Sequence, residues 1–337
     1  MELEGTVLAG ADFEPVEGRV VVDDGVIRAV EPSATDSSSI IMPAFVNAHT
    51  HLGDSIAKEA GAGLSLDELV APPDGLKHRL LRAADRETTV TAMARSLRFM
   101  ERTGTAGFIE FREGGVDGVE LLRAALAHRR LDATILGRET ADAMAAADGF
   151  GASGARDGDF DELRNATRRA GKLFGIHAGE RDAADINPAL DLAPDFLVHL
   201  VHAEELHLER IEDSGIPAVV CPRSNLVTNV GVPPIRRLTE RTTVALGTDN
   251  AMTNSPSMFR EMEFAAKLSD LPAATILRMA TRNGARIAGH DYGTIEAGRE
   301  AKLLVLDGDS DNLCYATDVR RAVVRRAGHA DIERVVL

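Results

Sequence analysis

The sequence predicts an α/β protein: a (β/α)8 TIM-type barrel carrying a small β-sandwich built from both chain ends. Three observations lead there. Eight apolar segments of strand length recur through the middle of the chain, most of them followed by helical stretches. Eight β/α units over about 250 residues is the size of a parallel-stranded barrel. The two ends of the 337-residue chain read as short strands instead. The expected division is 1–40 with 293–337 for the β-domain and 41–292 for the barrel.

At the N-terminal end the strands are Gly5–Ala9, Gly18–Val22 and Gly25–Val30, separated by turns such as Asp23-Asp24-Gly25. The barrel strands are Ile41–Ala48, Ala106–Phe111, Ala133–Leu136, Gly149–Ser153, Leu173–His177, Phe196–His199, Pro217–Cys221 and Thr243–Gly247. Amphipathic helical segments lie between them at Glu87–Arg102, Gly118–Ala127 and Asp161–Ala170. The C-terminal end returns to strands at Ala301–Leu306, Val319–Val324 and Arg334–Leu337.

Composition narrows the function classes. A formal net charge of -15 argues against a nucleic-acid polyanion as partner. Apolar stretches are short and interrupted, so no membrane helix is expected. Met1-Glu2-Leu3-Glu4 lacks the basic region and apolar block of a signal peptide, and Cys221 and Cys314 make no disulfide framework. The expected location is the cytoplasm. Lys58, Lys77, Lys172, Lys267 and Lys302 are the only lysines among 38 basic residues. Together with the acidic excess, this suggests a halophilic protein, whose self-repulsion high salt would screen. An acidic protein from a GC-rich genome is the alternative.

The chemistry starts at His49-Thr50-His51, which ends an apolar run. Side chains alternate along a strand, so both imidazoles face one way. His177 and His199 end two later strands, Asp249 follows Val244-Ala245-Leu246-Gly247-Thr248, and Glu180 sits just beyond His177. One histidine at a strand end is ordinarily a hydrogen-bonded structural residue, and one aspartate a cap. The set taken together points to a metal: imidazoles plus a carboxylate suit Zn²⁺ or Fe²⁺ with a position left for water.

These residues resemble the amidohydrolase superfamily, and within it the cytosine deaminase, guanine deaminase and chlorohydrolase branch. The likeness rests on His49-Thr50-His51, His177-Ala178-Gly179-Glu180, His199, Cys221-Pro222-Arg223-Ser224-Asn225 and Gly247-Thr248-Asp249-Asn250. Thr281-Arg282-Asn283-Gly284-Ala285 and the run Gly293–Leu303 extend it into the tail. The resemblance implies that His49, His51, His177 and Asp249 bind one divalent metal ion, Zn²⁺ in the first place and Fe²⁺ as the alternative. It implies that Glu180 shuttles protons, that His199 orients water or polarises the substrate, and that Asp249 also accepts the water proton. No lysine lies between Lys77 and Lys172, which argues against a lysine-bridged pair of metals; Glu139 is the other bridging candidate weighed.

Arg112, Arg138 and Arg223 follow strands and are candidates for substrate contact; guanidinium forks suit carboxylate or phosphate. Each has a salt bridge as its plain alternative, with Glu110 and Glu113 flanking Arg112. The loop after His51 has the length of an active-site cover, with His78 a contact if it folds inward. The expected function is metal-dependent hydrolysis of a non-peptide C–N bond, first as deamination of an amino-substituted heterocycle. Amide, cyclic-amide or formimino cleavage is the second reading, and a non-catalytic ligand-binding descendant the third. The expected partner is a small molecule, anionic if the arginines face it, and a homo-oligomer is admitted.

Overall fold

The computed structural model describes residues 1–337. Two sheets organise it. The first is formed by β1 (Glu2–Ala9), β2 (Glu14–Asp23), β3 (Val26–Pro32) and β4 (Ser39–Pro43), joined by β14 (Leu303–Asp307) and β15 (Ile332–Val336) from the other chain end. Its order is β15-β14-β4-β1-β2-β3, a single six-stranded sheet. Period-2 burial turns Leu3, Val7, Val20, Val22, Ile41 and Leu303 into one apolar cluster on its inner face.

The second sheet is parallel and curled. It contains β5 (Phe45–His51), β6 (Thr105–Arg112), β7 (Asp132–Gly137), β8 (Gly149–Ala152), β9 (Leu173–Ala178), β10 (Phe196–His199), β11 (Ala218–Val220), β12 (Val244–Leu246) and β13 (Asp249–Asn250). The order β12-β11-β10-β9-β8-β7-β6-β5-β13 puts consecutive pieces of chain on its two edges. Gly247 N donates to Val220 O at 3.1 Å, and Thr248 N donates to His49 O at 3.1 Å. Asp249 then pairs with Thr50 and Asn250 with His51. Only glycine permits that approach, since a Cβ on Gly247 would lie 2.7 Å from the Cβ of His49.

Inside the curl, Ala48, Ile109, Phe111, Leu136, Phe196 and Val219 form a core cluster. Between the sheet and its helices lies the largest cluster, with 41 buried residues. Four helices bear on the site: α1 (Leu66–Val70), α2 (Leu76–Ala83), α3 (Arg86–Arg102) and α4 (Gly115–Leu126). Met93, Leu97 and Met100 give α3 its buried stripe, and Asp85 caps it by accepting Thr88 N at 2.8 Å.

Two expectations change. The apolar run through Ile41–Ala48 is two strands rather than one, and Ser39–Pro43 belongs to the terminal sheet. The switch takes one residue: Ala44 N donates to Lys302 O and Phe45 N to Gly104 O. The junction between the two sheets therefore falls at Ala44, beyond the expected boundary at 40. Val319–Val324 is a helix, Val319–Arg325, capped by Asp318. Its β-branched residues suggested a strand, but Ala322, Val323 and Val324 are buried as part of a helix.

Candidate active site

The parallel strands deliver the expected residues to one end of the sheet. His49 and His51 share a face of β5, His177 lies in β9, His199 ends β10 and Asp249 opens β13. His49, His51, His199 and Asp249 are almost completely buried. His49 Nε2 lies 3.3 Å and His51 Nε2 3.5 Å from the same atom, Asp249 Oδ1. His51 Nε2 and His177 Nε2 are 3.4 Å apart. Phe111 forms the floor, with ring centroids 4.6 Å from His49 and 4.9 Å from His177.

This donor set fits a divalent cation. His49 Nε2 and Asp249 Oδ1 are buried without a hydrogen-bond partner, a costly condition unless an ion is bound there. Burial pushes His49 down to about 4 and His51 to about 3, and holds His177 well below its ordinary value, so all three present neutral rings. Burial opposes ionisation of Asp249, yet contact with His49 and the nearby His199 and His51 rings holds its carboxyl well below the usual range. Neutral imidazoles and an ionised carboxylate are the ligand forms zinc requires.

Outer contacts aim these groups. His177 Nδ1 donates to Ala152 O at 2.8 Å, turning Nε2 inward. Ser224 Oγ and Asn250 Nδ2 donate to Asp249 Oδ2 at 2.5 and 3.0 Å, leaving Oδ1 to the cluster. Asn225 Nδ2 donates to His199 Nδ1 at 3.1 Å, so the Nε2 proton faces Glu180 Oε2, 3.6 Å away. Burial raises the Glu180 carboxyl, although its side chain keeps 17% exposure at the pocket wall. His199 and Asp249 hold φ of 80° and 57°, strained backbone for non-glycine residues and placed here beside the cluster.

The cavity above the cluster is lined by His51, Lys77, Arg138, His177, Glu180 and Asp249, among others. Past His78 and Arg138 it meets a larger recess of ≈ 950 Å³ beside α2 and α4. Of the three candidate arginines, Arg138 alone lines the cavity over the cluster. Arg112 lines the recess, but its Nε donates to Gly118 O at 3.0 Å and its Nη1 lies 3.6 Å from Glu113. Arg223 does not face the pocket: it meets Glu261 at 3.3 Å and donates to Ser255 O at 2.8 Å. Its strand-end position made it a candidate; a buried carboxylate on a later helix claims it.

Other carboxylates and lysines resolve similarly. Glu110 accepts Leu52 N at 2.8 Å and the Thr50 hydroxyl at 2.6 Å. Glu139 accepts Gly114 N at 3.0 Å, and Lys172 donates to the carbonyls of Met144, Ala145 and Ala147, so neither bridges metals. Sequence reasoning missed Glu113 as a neighbour of the cluster: its Oε1 is 2.7 Å from His51 Nδ1. It also missed Lys77, only 3% exposed, whose Nζ is 2.7 Å from Glu113 and 3.0 Å from Asn250 Oδ1. Glu113 was seen only as a neighbour of Arg112; for Lys77 the covering loop was the sole signal, and nothing in it says which side chain turns inward.

A profile described as the amidohydrolase family matches residues 40–187 and 161–336. An uncharacterised protein of Methanocaldococcus jannaschii is 33% identical, with 98% of this chain and 96% of that one covered. A 5-methylthioadenosine/S-adenosylhomocysteine deaminase of Halobacterium salinarum is 28% identical, with coverage of 94% and 86%. Among solved structures, an adenosine deaminase from Xanthomonas campestris with bound zinc superposes with a TM-score of 0.86 at 22% identity, covering 100% of this chain and 91% of that one.

Proposed function

Because the chain belongs to the amidohydrolase family, we propose that it deaminates an amino-substituted heterocycle by hydrolysis, using one divalent metal ion held by His49, His51, His177 and Asp249. It is a hydrolase of C–N bonds other than peptide bonds. One observation carries the reading: three inward, neutral imidazoles and one ionised carboxylate converge beside the Glu180–His199 pair. Zinc is the proposed ion, on the donor set and on the zinc-bound adenosine deaminase of the same fold.

When bound, such an ion supplies Lewis acidity and a water nucleophile at neutral pH. The protein's own groups handle the protons. Asp249 Oδ1, free of protein donors, accepts one from the attacking water. Glu180 keeps its proton to higher pH than an exposed glutamate, which suits delivery to a ring nitrogen or the leaving amine. His199, whose Nε2 proton faces Glu180, is placed to orient the attacking water. Arg138, at the junction of cavity and recess, is placed to meet a substituent on the ring, carboxylate or phosphate in class.

In finer terms we read the curled sheet and its helices as a (β/α)8 barrel, and the terminal sheet with its apolar cluster as a small β-sandwich. No helix is long and apolar enough to cross a membrane. A salt-rich setting is proposed on the acidic excess, the scarce lysine and the few aromatics.

The test is ammonia release by metal-loaded protein across aminated purines, pyrimidines and pterins. Ammonia appearing in step with the oxo product supports deamination. A carboxylate product without ammonia would move the assignment to amide cleavage. Tight binding without turnover would make the protein a ligand-binding descendant.

A further inference from the structure

The covering segment is attached to the protein in an unusual way. None of the side chains from Leu66 to Ala83 joins a hydrophobic core cluster. Leu69 is the only buried apolar side chain in the segment, and segments with so few buried apolar anchors lie at the low end of local stability. Here two ionic contacts fasten it. Asp67 on α1 pairs with Arg181, the residue after Glu180, at 2.7 Å. Lys77 on α2 is buried and extends beneath the cover.

A lysine ammonium has three N–H donors. That of Lys77 donates to Asn250 Oδ1 at 3.0 Å and lies 2.7 Å from Glu113 Oε1, while Asp54 Oδ2, 4.0 Å away, is beyond hydrogen-bond reach. The first two are each the outer partner of a different residue in the cluster. Glu113 Oε1 lies 2.7 Å from His51 Nδ1. Asn250 Nδ2 donates to Asp249 Oδ2 at 3.0 Å. One cation on the cover therefore sits between the groups that orient two of the four proposed ligands, which come from β5 and β13 at the seam of the curled sheet.

We propose that Lys77 is a positioning residue that couples closure of α1 and α2 to the arrangement of the metal ligands, His51 through Glu113 and Asp249 through Asn250. The inference rests on reading His49, His51, His177 and Asp249 as ligands. With the cover down, Lys77 balances the Glu113 carboxylate and holds the Asn250 amide so that its nitrogen faces Asp249. With the cover up, both lose a partner, and the imidazole of His51 and the carboxylate of Asp249 gain freedom. Linkage makes the effect reciprocal: if closure favours metal, metal favours closure by the same factor. The cover would then close over the pocket of a loaded enzyme and loosen when the ion leaves.

The experiment needs no substrate. Hydrogen–deuterium exchange over residues 66–83 is measured with and without zinc, and zinc affinity by competition with a chromophoric chelator, for wild type, Lys77→Met and Lys77→Arg. Zinc should slow exchange across the cover in wild type. Lys77→Met should bind zinc about 10-fold more weakly, the low end of the range for loss of an outer partner, because Lys77 acts through Glu113 and Asn250. Its cover should also stop responding to zinc, with Lys77→Arg between the two. A residue that merely holds the cover down would speed exchange equally in both states, and that result overturns the proposal. So does zinc affinity in Lys77→Met equal to wild type. If Lys77→Met does not fold, the wild type decides: a cover indifferent to zinc ends the idea. Wild type that binds no zinc at all would instead refute the ligand assignment itself.

Discussion

His51 Nδ1 and Glu113 Oε1 lie 2.7 Å apart, and both side chains are only 3% exposed. The glutamate is also the single carboxylate on which Lys77, Arg112 and Arg138 converge, at 2.7, 3.6 and 3.3 Å. Burial alone would raise its carboxyl, but Lys77, His51 and Arg138 hold it well below the ordinary 4.5. Removing one member of a buried ion cluster leaves the others uncompensated, which costs about 3–5 kcal/mol. Glu113→Gln should therefore lower the melting temperature and, with His51 released, weaken metal retention. The lowered pKa fixes the sign of the pH effect. Stability from Glu113 is present above pH 4.5 and disappears as the pH falls further. Acid titrations of melting temperature should show a shallower decline for the variant; an unchanged acid limb would reject this account.

Glu180 and His177 are close in sequence but should separate in function. Glu180→Gln keeps the shape of the pocket wall and removes the proton carrier. Loss of general acid–base catalysis costs about 10²–10⁴-fold, so kcat should fall by that range while metal content stays at the wild-type level. His177→Asn should lose the metal. Elemental analysis beside turnover checks both, and metal loss in Glu180→Gln would make it a ligand.

Arg138 and Arg223 offer a second contrast. Arg138 faces the cavity, and a hydrogen bond to a charged group contributes about 1.5–3 kcal/mol. Arg138→Ala should reduce kcat/KM by about 10–100-fold on a substrate with an anionic substituent and less on its uncharged analogue. Arg223→Ala should leave KM alone and lower the melting temperature, because Glu261 is fully buried and pushed up to about 7 even with its arginine in place. Equal KM effects from the two would refute the placement of the pocket.

What the sequence disclosed follows a physical divide. His49, His51, His177, His199 and Asp249 were legible because strand alternation and strand ends are local patterns, and a parallel sheet gathers its strand ends. The switch at Ala44 was not, since Ile40 to Ala48 is apolar almost throughout and only pairing with β14 or β6 distinguishes its halves. Val319–Val324 misled because β-branched residues outweighed the Asp318 cap. Lys77 and Arg223 show the deeper limit. Each guanidinium or ammonium was visible as a charge, but its partner lies on a distant element, and only packing decides whether it meets substrate, Glu113 or Glu261.

Glu110 provides a pH test of the opposite sign. Burial pushes its carboxyl up to about 8, against the partial offset of Arg112 and the Thr50 hydroxyl. The folded protein thus holds a proton there that the unfolded chain releases near the ordinary 4.5. Where the folded state binds more protons, stability falls as pH rises. The contribution is complete below pH 4.5 and declines until the pH passes about 8. Glu110→Gln is permanently neutral, its oxygen still accepts Leu52 N, and its amide can donate to Thr50 while Thr50 donates to Ile109 O. The variant should match wild type at pH 4.5 and below and exceed it increasingly up to pH 8. Asp54 is also pushed up to about 8, so part of the slope should remain. Melting curves across this range decide the matter, and parallel wild-type and variant curves would show that Glu110 is ionised in the folded protein.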